Sequence, residues 1–417
     1  MAGSGEKKKT ERYYSINMKN YILVIFLLLS CQYLLAQSDA PSNDITISLI
    51  TGSPGDELYS VFGHSAIRVR NDRTEQDILY NYGTFDFNTP NFYWKFMRGK
   101  LPYMLSVERT EDLFRTYVQE GRSITEQTLN FTDEQKEKLL QFLQWNYEPE
   151  HRYYMYDFFY NNCATVIRDI FEKEYGVDYH VDAMEDITFR QLLDEKMPNM
   201  LWTNFGMDLV LGTPADRKAD FRNQMFLPEY LADHLAKATL SSGEPLVQTQ
   251  HTKTLVQKTP ISKADTGINF TPTLFFIIIA MLALVLTFTG SERMKRIFDI
   301  TLFTLLGLGG LFLLFMWFGT DHITTKNNWN LLWMNPLCLL LAIGIAGSKE
   351  RKWLRVGFAI YATVLWTVLL AWNWIPQELN IAVIPILIAL IIRSMDREGV
   401  IINFVKRAAR GKKQVAG

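Results

Sequence analysis

Two regimes of hydrophobic patterning divide this chain. From about residue 38 to 236 the apolar positions come in short runs with the periods of ordinary soluble elements. Val61-Phe62-Gly63-His64-Ser65-Ala66-Ile67-Arg68-Val69-Arg70 ends in period-two alternation, which predicts a strand. Residues 71–76 are a polar turn, and Asp77-Ile78-Leu79-Tyr80-Asn81-Tyr82-Gly83 reads as the hairpin partner. Pairing Arg70 with Asp77 sets His64 opposite Gly83 and one diagonal from Asn81. Farther on, Val166, Ile167, Ile170 and Phe171 recur at helical spacing, with Arg168, Asp169, Glu172 and Lys173 on the other face. Asn162 is the predicted N-cap of that helix and Gly176 its C-terminal stop.

Beyond residue 270 the apolar runs reach membrane dimensions. Spans are predicted at 272–290, 297–319, 331–347, 353–374 and 380–392, the last short and carrying Pro385. An earlier apolar stretch, 21–36, follows Lys19 and ends at Ala36-Gln37. It has the anatomy of a secretory signal, with a retained anchor as the alternative. Cys31 lies inside this run and is not read as a lipidation site. The polar stretch 236–269 reads as a linker or loose β segment.

The formal net charge of −1 hides a division. Residues 1–37 carry +3, residues 38–270 carry −12 and residues 271–417 carry +8. In the last section 14 of 15 basic residues follow the first, third and fifth spans, and only Lys326 falls on the other side. Positive residues stay in the cytoplasm, so residues 38–270 lie outside. The basic residues sit between apolar runs rather than in one stripe, which excludes a nucleic-acid binder. The expected organisation is a leader and signal at 1–37, a periplasmic catalytic domain at 38–235 and a linker at 236–270. A five-helix transmembrane domain at 271–395 and a basic cytoplasmic tail at 396–417 complete it.

With Cys31 in the signal and Cys338 in the third span, Cys163 is alone in the outer domain, which excludes a disulfide framework there. Cys163 occupies the first position of the helix beginning after Asn162. Helix dipole and free backbone N–H groups at that place favour a thiolate and offer donors to an oxyanion. A thiol nucleophile needs a base. Of the six histidines, His64 alone sits in a patterned strand. Asn81 is the candidate to fix its tautomer, with Tyr80, Thr84 and Asp86 as alternatives. A strand histidine facing a helix-start cysteine is the arrangement of papain-like enzymes; the reversed chain order here is that of their permuted members.

Trp317, Trp329, Trp333, Trp372 and Trp374 cluster at the predicted outer ends of spans, as an interfacial belt does. Between two of those ends lie Asp321, His322 and Asn330, which are candidate residues for binding a phospholipid headgroup or for bracing the outer domain.

The stretches FGHSAIRV (62–69), YNYGTFDF (80–87), YNNCATVIRDIF (160–171), FGMDLVLGTPADR (205–217), MFLPEYL (225–231) and GTDHITTKNNWNLLWMNPL (319–337) together resemble one family. It is the lipoprotein N-acyltransferases of Bacteroides-like bacteria, the Lnb type, and the resemblance covers about 45–395. It implies an α+β permuted papain-like soluble domain, related to NlpC/P60 enzymes, followed by an all-α membrane domain of five helices. It also implies transfer of an acyl chain from a membrane phospholipid to the α-amine of a lipoprotein's N-terminal diacylglyceryl-cysteine. That transfer would run at the inner membrane through a Cys163 thioester, with no metal or other cofactor. The alternative enzyme is a membrane-tethered cysteine amidohydrolase acting on cell-wall peptides, which gives no reason for five spans. A receptor or scaffold gives no role to the Cys163–His64 pair.

Overall fold

The computed structural model describes residues 44–57, 60–180, 186–258, 270–347 and 352–399. The leader, the 21–36 signal with Cys31, and the tail beyond 399 lie outside the described residues. The chain opens with strands β1 (Ile45–Gly52), β2 (His64–Asn71) and β3 (Gln76–Thr84), then helix α1 (Phe92–Met97) and β4 (Pro102–Arg109). Next come α2 (Thr110–Gln119), β5 (Ile124–Leu129), α3 (Asp133–Tyr147), β6 (Tyr153–Met155) and α4 (Cys163–Tyr175). Helices α5 (Phe189–Lys196), α6 (Leu201–Val210), α7 (Phe221–Gln224) and α8 (Pro228–Lys237) precede the last strand, β7 (Val247–Val256).

The seven strands form one antiparallel sheet in the order β6-β4-β3-β2-β1-β5-β7. Its hairpin has the expected register, Arg70 against Asp77 and Ile67 against Tyr80. Period-two alternation sends Ile67 and Val69 to the face covered by α3, α4 and α8, where Leu139, Leu143, Ile167, Phe171, Leu231 and Leu235 meet them. Ala66 and Leu79 face the other way, under Tyr117 of α2. Of the two readings of 236–269, a linker or a loose β segment, residues 247–256 take the second. Val247–Val256 pairs with β5, because an open edge there would leave backbone donors and acceptors unpartnered in the ladder direction.

The membrane region contains α9 (Pro272–Thr289), α10 (Glu292–Phe318), α11 (Cys338–Ala346), α12 (Lys352–Leu370) and α13 (Ile384–Glu398). Helices α9, α10 and α12 are long and apolar enough to cross a membrane. Two expectations change. The third expected span, 331–347, is helical only over the 9 residues of α11. Its first part is a 3₁₀ turn (Trp329–Leu332) and a bend ending at Pro336, packed where Gly310 lets the backbone come close. Arg393 and Arg397, read as loop cations, belong to α13, which runs on to Glu398. Arg393 is fully buried and forms a bidentate pair with Asp299 of α10 at 2.7 and 2.8 Å.

Candidate active site

Asn162 uses every polar atom of its side chain to start α4. Its Oδ1 accepts from the N–H groups of Ala164 and Thr165, each at 2.9 Å. Its Nδ2 donates to Phe158 O at 2.9 Å and Phe226 O at 2.8 Å. Serine or aspartate would cap the helix but could not make both donations. The result is a capped first turn that fixes Cys163, a half-buried residue, at the helix start.

His64 begins β2, against which α4 packs. Its Nε2 meets Asn81 Oδ1 at 3.0 Å, so the ring proton sits on Nε2 and Nδ1 is left for the thiol. Asn81 Nδ2 in turn donates to Glu108 Oε1 at 2.8 Å. A polar chain therefore runs Cys163–His64–Asn81–Glu108 from α4 across β2 and β3 to β4. Glu108 was not singled out in the sequence; its nearness to Asn81 exists only through the β3–β4 pairing.

Electrostatics in this chain favour an ion pair. Burial pushes the Cys163 thiol up, but the charge and hydrogen bond of His64 and the N–H groups of Ser65 and Ala164 together bring it below the ordinary thiol value. Burial works against a charged His64 ring, yet the Cys163 sulfur, Asn81 and Glu108 raise it above the ordinary imidazole value. Burial also raises Glu108, with Asn81 and His64 offsetting part of that. Thiolate beside imidazolium is the form of a nucleophilic cysteine with a positioned acid–base partner.

The walls are aromatic. Gly83 has φ +88°, and a Cβ there would lie 3.7 Å from both Cys163 Cβ and the Tyr156 ring. That left-handed backbone, which favours glycine, falls at the irregularity where β3 shifts register against β4. Tyr156 stacks on Tyr103 at 4.2 Å between centroids, and Tyr103 meets Phe85 edge-on at 5.4 Å.

The outer-loop candidates are placed elsewhere. Asn330 is corrected as a ligand-binding residue, because its amide is spent within the protein. Its Nδ2 donates to Asp208 O at 3.1 Å and Leu209 O at 3.2 Å, and its Oδ1 accepts from Trp333 Nε1 at 2.9 Å. Asn328 does the same for Leu209 O and Val210 O, so two amides satisfy the open carbonyls at the end of α6. Gly212 makes that docking close, since a Cβ there would collide with Lys326 O. Beside it the fully buried Arg190 bridges Asp208 at 2.6 Å and Asp216 at 2.8 Å. Asp321 and His322 hold the segment after α1. Asp321 N–H donates to Arg98 O at 2.9 Å, its carboxylate lies 3.6 Å from Lys100 Nζ, and His322 Nε2 meets Phe96 O at 3.2 Å. The fold thus unites Cys163, His64 and Asn81 and gives Asp321, His322 and Asn330 a bracing position between the domains.

Residues 32–195 match the family model of the Lnb N-terminal periplasmic domain, and residues 263–402 match that of the Lnb transmembrane domain. No curated protein and no solved structure matches the chain. The first match contains the whole Cys163–His64–Asn81–Glu108 chain and the second contains all five membrane-region helices. The α+β domain followed by an all-α membrane domain accords with both. The chain belongs to the Lnb family: it is a membrane protein with a periplasmic domain and a role connected to lipoprotein N-acylation.

Proposed function

We propose that the protein is a cysteine-dependent N-acyltransferase of the inner membrane. It moves an acyl chain from a phospholipid to the α-amine of a diacylated lipoprotein's N-terminal cysteine. The observation that carries this reading is the Cys163–His64–Asn81 chain, in a domain braced directly onto membrane helices. The Cys163 thiolate attacks the ester carbonyl of the donor, and the backbone N–H of Cys163 itself, at the first position of α4, is the donor this reading assigns to the tetrahedral oxyanion. Collapse breaks the C–O bond. The His64 imidazolium gives its proton to the departing lysophospholipid alkoxide, leaving a thioester on Cys163. The neutral amine of the acceptor then attacks this thioester, His64 takes the amine proton, and the C–S bond breaks to release the amide and restore the thiolate. Amides are more stable than thioesters, so the second half runs downhill. Both substrates are anchored in lipid, which accounts for a multi-pass membrane domain fused to the site.

The test uses the full chain in lipid nanodiscs with a phospholipid labelled in its acyl chains. Wild type is expected to acquire a hydroxylamine-labile label and to yield triacylated lipopeptide by mass spectrometry. Cys163→Ala is expected to do neither while inserting normally into the membrane. Triacylated product from Cys163→Ala would end the thioester route, and peptide cleavage in place of acylation would favour an amidohydrolase.

A further inference from the structure

Helix α1 has the sequence Phe-Tyr-Trp-Lys-Phe-Met, five apolar residues of six, yet none of its residues is buried. Tyr93 is 80% exposed, and Phe87, just before the helix, is 70% exposed. Trp94 and Phe96 are about half exposed, so one short segment of the periplasmic domain presents four large aromatic side chains outward. A surface bathed only in water rarely carries such a patch.

Its position says what covers it. Trp94 stacks on Phe315 at 5.7 Å between centroids, and Phe315 lies in the last turn of α10, a helix long and apolar enough to cross the membrane. Arg98 Nε donates to Gly319 O at 3.2 Å, just beyond the end of that helix, and His322 Nε2 meets Phe96 O. Segment 85–97 is therefore fastened at the depth where a span leaves the hydrocarbon, the depth that aromatic side chains favour. Lys95 and Arg98 accompany it against Asp86, while Lys100 is paired with Asp321, and the remaining positive charge suits anionic lipid phosphates.

The same segment leads to the thiol. Phe92 lies 5.6 Å from Phe85, Phe85 lies 5.4 Å from Tyr103, and Tyr103 stacks on Tyr156. The Tyr156 ring and Cys163 both border the space that a Gly83 side chain would fill. An aromatic row thus runs from the exposed face to the neighbourhood of Cys163. We propose that residues 85–97 form a lip embedded in the outer leaflet. The row Phe85–Tyr103–Tyr156 is the wall along which a phospholipid acyl chain lies, bringing its ester carbonyl to Cys163. The lip stands on geometry alone; the direction of the chain toward Cys163 rests on the acyltransferase reading.

The experiment places a photoreactive p-benzoylphenylalanine at position 87, at position 93 and, as a control, at Val118. Val118 is 63% exposed on α2, outside the segment 85–97. The full chain carrying Cys163→Ala is reconstituted in nanodiscs of phosphatidylethanolamine with radiolabelled acyl chains, so labelling does not depend on turnover. Lipid label at positions 87 and 93 well above that at 118 is expected. Background labelling, or cross-links to protein instead of lipid, overturns the lip.

A second arm uses the exposed-residue variant Phe87→Ser, Tyr93→Ser, Phe96→Ser with Cys163 intact. Its apparent KM for phospholipid should rise by roughly tenfold or more, since withdrawing even one aromatic from an apolar setting is worth about a decade in an equilibrium. The rate of Cys163 alkylation by a soluble reagent should stay unchanged, which shows the site to be folded. An unchanged KM overturns the path to Cys163, and a lost alkylation rate overturns it too by placing these residues in the site's fold. If no acylation occurs in any form of the protein but positions 87 and 93 still take lipid label, the acyltransferase reading has failed and the lip has not.

Discussion

Replacing Asn81 with alanine removes the middle of the polar chain while sparing both the thiol and the imidazole. Asn81 is 4% exposed, so water does not readily take over its 3.0 Å contact with His64 or its 2.8 Å contact with Glu108. A hydrogen bond to a charged group is worth about 1.5–3 kcal/mol, and the bond to His64 favours the imidazolium form. At about 1.36 kcal/mol per decade, its loss lowers the equilibrium constant for the imidazolium–thiolate pair by up to roughly 10- to 150-fold. Glu108 cannot take over easily, because burial already raises its carboxyl and the variant removes the donor that opposed this.

The assay is the rate of Cys163 carboxamidomethylation against pH, in a chain with Cys31 and Cys338 replaced by alanine. The sign follows from the two shifts. The pair forms as pH rises through the Cys163 value, which lies below that of an ordinary thiol. It is lost as pH rises through the His64 value, which lies above that of an ordinary imidazole. Asn81→Ala moves the lower limit up and the upper limit down, so the window narrows from both sides. Alkylation near pH 7 and the N-acylation kcat both within twofold of wild type would refute the reasoning and make Asn81 a bystander.

The same shifts predict a bell-shaped kcat/KM for N-acylation, its acid limb set by Cys163 and its alkaline limb by His64. A profile without the acid limb would contradict a thiolate nucleophile. Arg190→Met leaves Asp208 and Asp216 buried without their shared cation, at a cost of about 3–5 kcal/mol, read as a lower thermal midpoint in detergent; an unchanged midpoint would show that this junction is not desolvated. His322→Ala loses the contact with Phe96 O and should weaken use of phospholipid several-fold, about the worth of one net hydrogen bond, while Cys163 alkylation stays at the wild-type rate. A fall in both would move His322 from the brace into the chemistry.

The parts of the site that rest on local pattern are legible in the sequence. Alternation through Ala66–Arg70 and the polar turn at 71–76 determine the hairpin register, and that register alone brings Asn81 diagonally to His64. An amphipathic repeat after an N-capping asparagine determines that Cys163 opens a helix. Long apolar runs with one-sided positive charge announce the membrane region, and α9, α10 and α12 fall where those runs do. The strand and helix signals are carried by residues near one another in sequence, where backbone periodicity acts, and the charge signal is a comparison between successive loops.

Tertiary structure decided what depends on distant segments. Residues 331–337 are apolar, but hydrophobicity does not distinguish a lipid-facing helix from a bent segment packed against Gly309 and Gly310 of α10. The polar sequence of Val247–Val256 becomes a strand because the β5 edge offers it a hydrogen-bonding partner. Asn330 reads as a ligand-binding amide until the open carbonyls at the end of α6 claim it. Glu108 is one carboxylate among many in the outer domain until β4 lies beside β3. Phe85, Tyr103 and Tyr156 come from three separated stretches, and only the β6–β4–β3 order brings their rings into one row. Sequence could supply the reacting groups because their placement is local. The surroundings of those groups are set by long-range pairing and docking, where the gain comes from satisfying another segment's exposed backbone and apolar surface, and no single stretch of the chain records that.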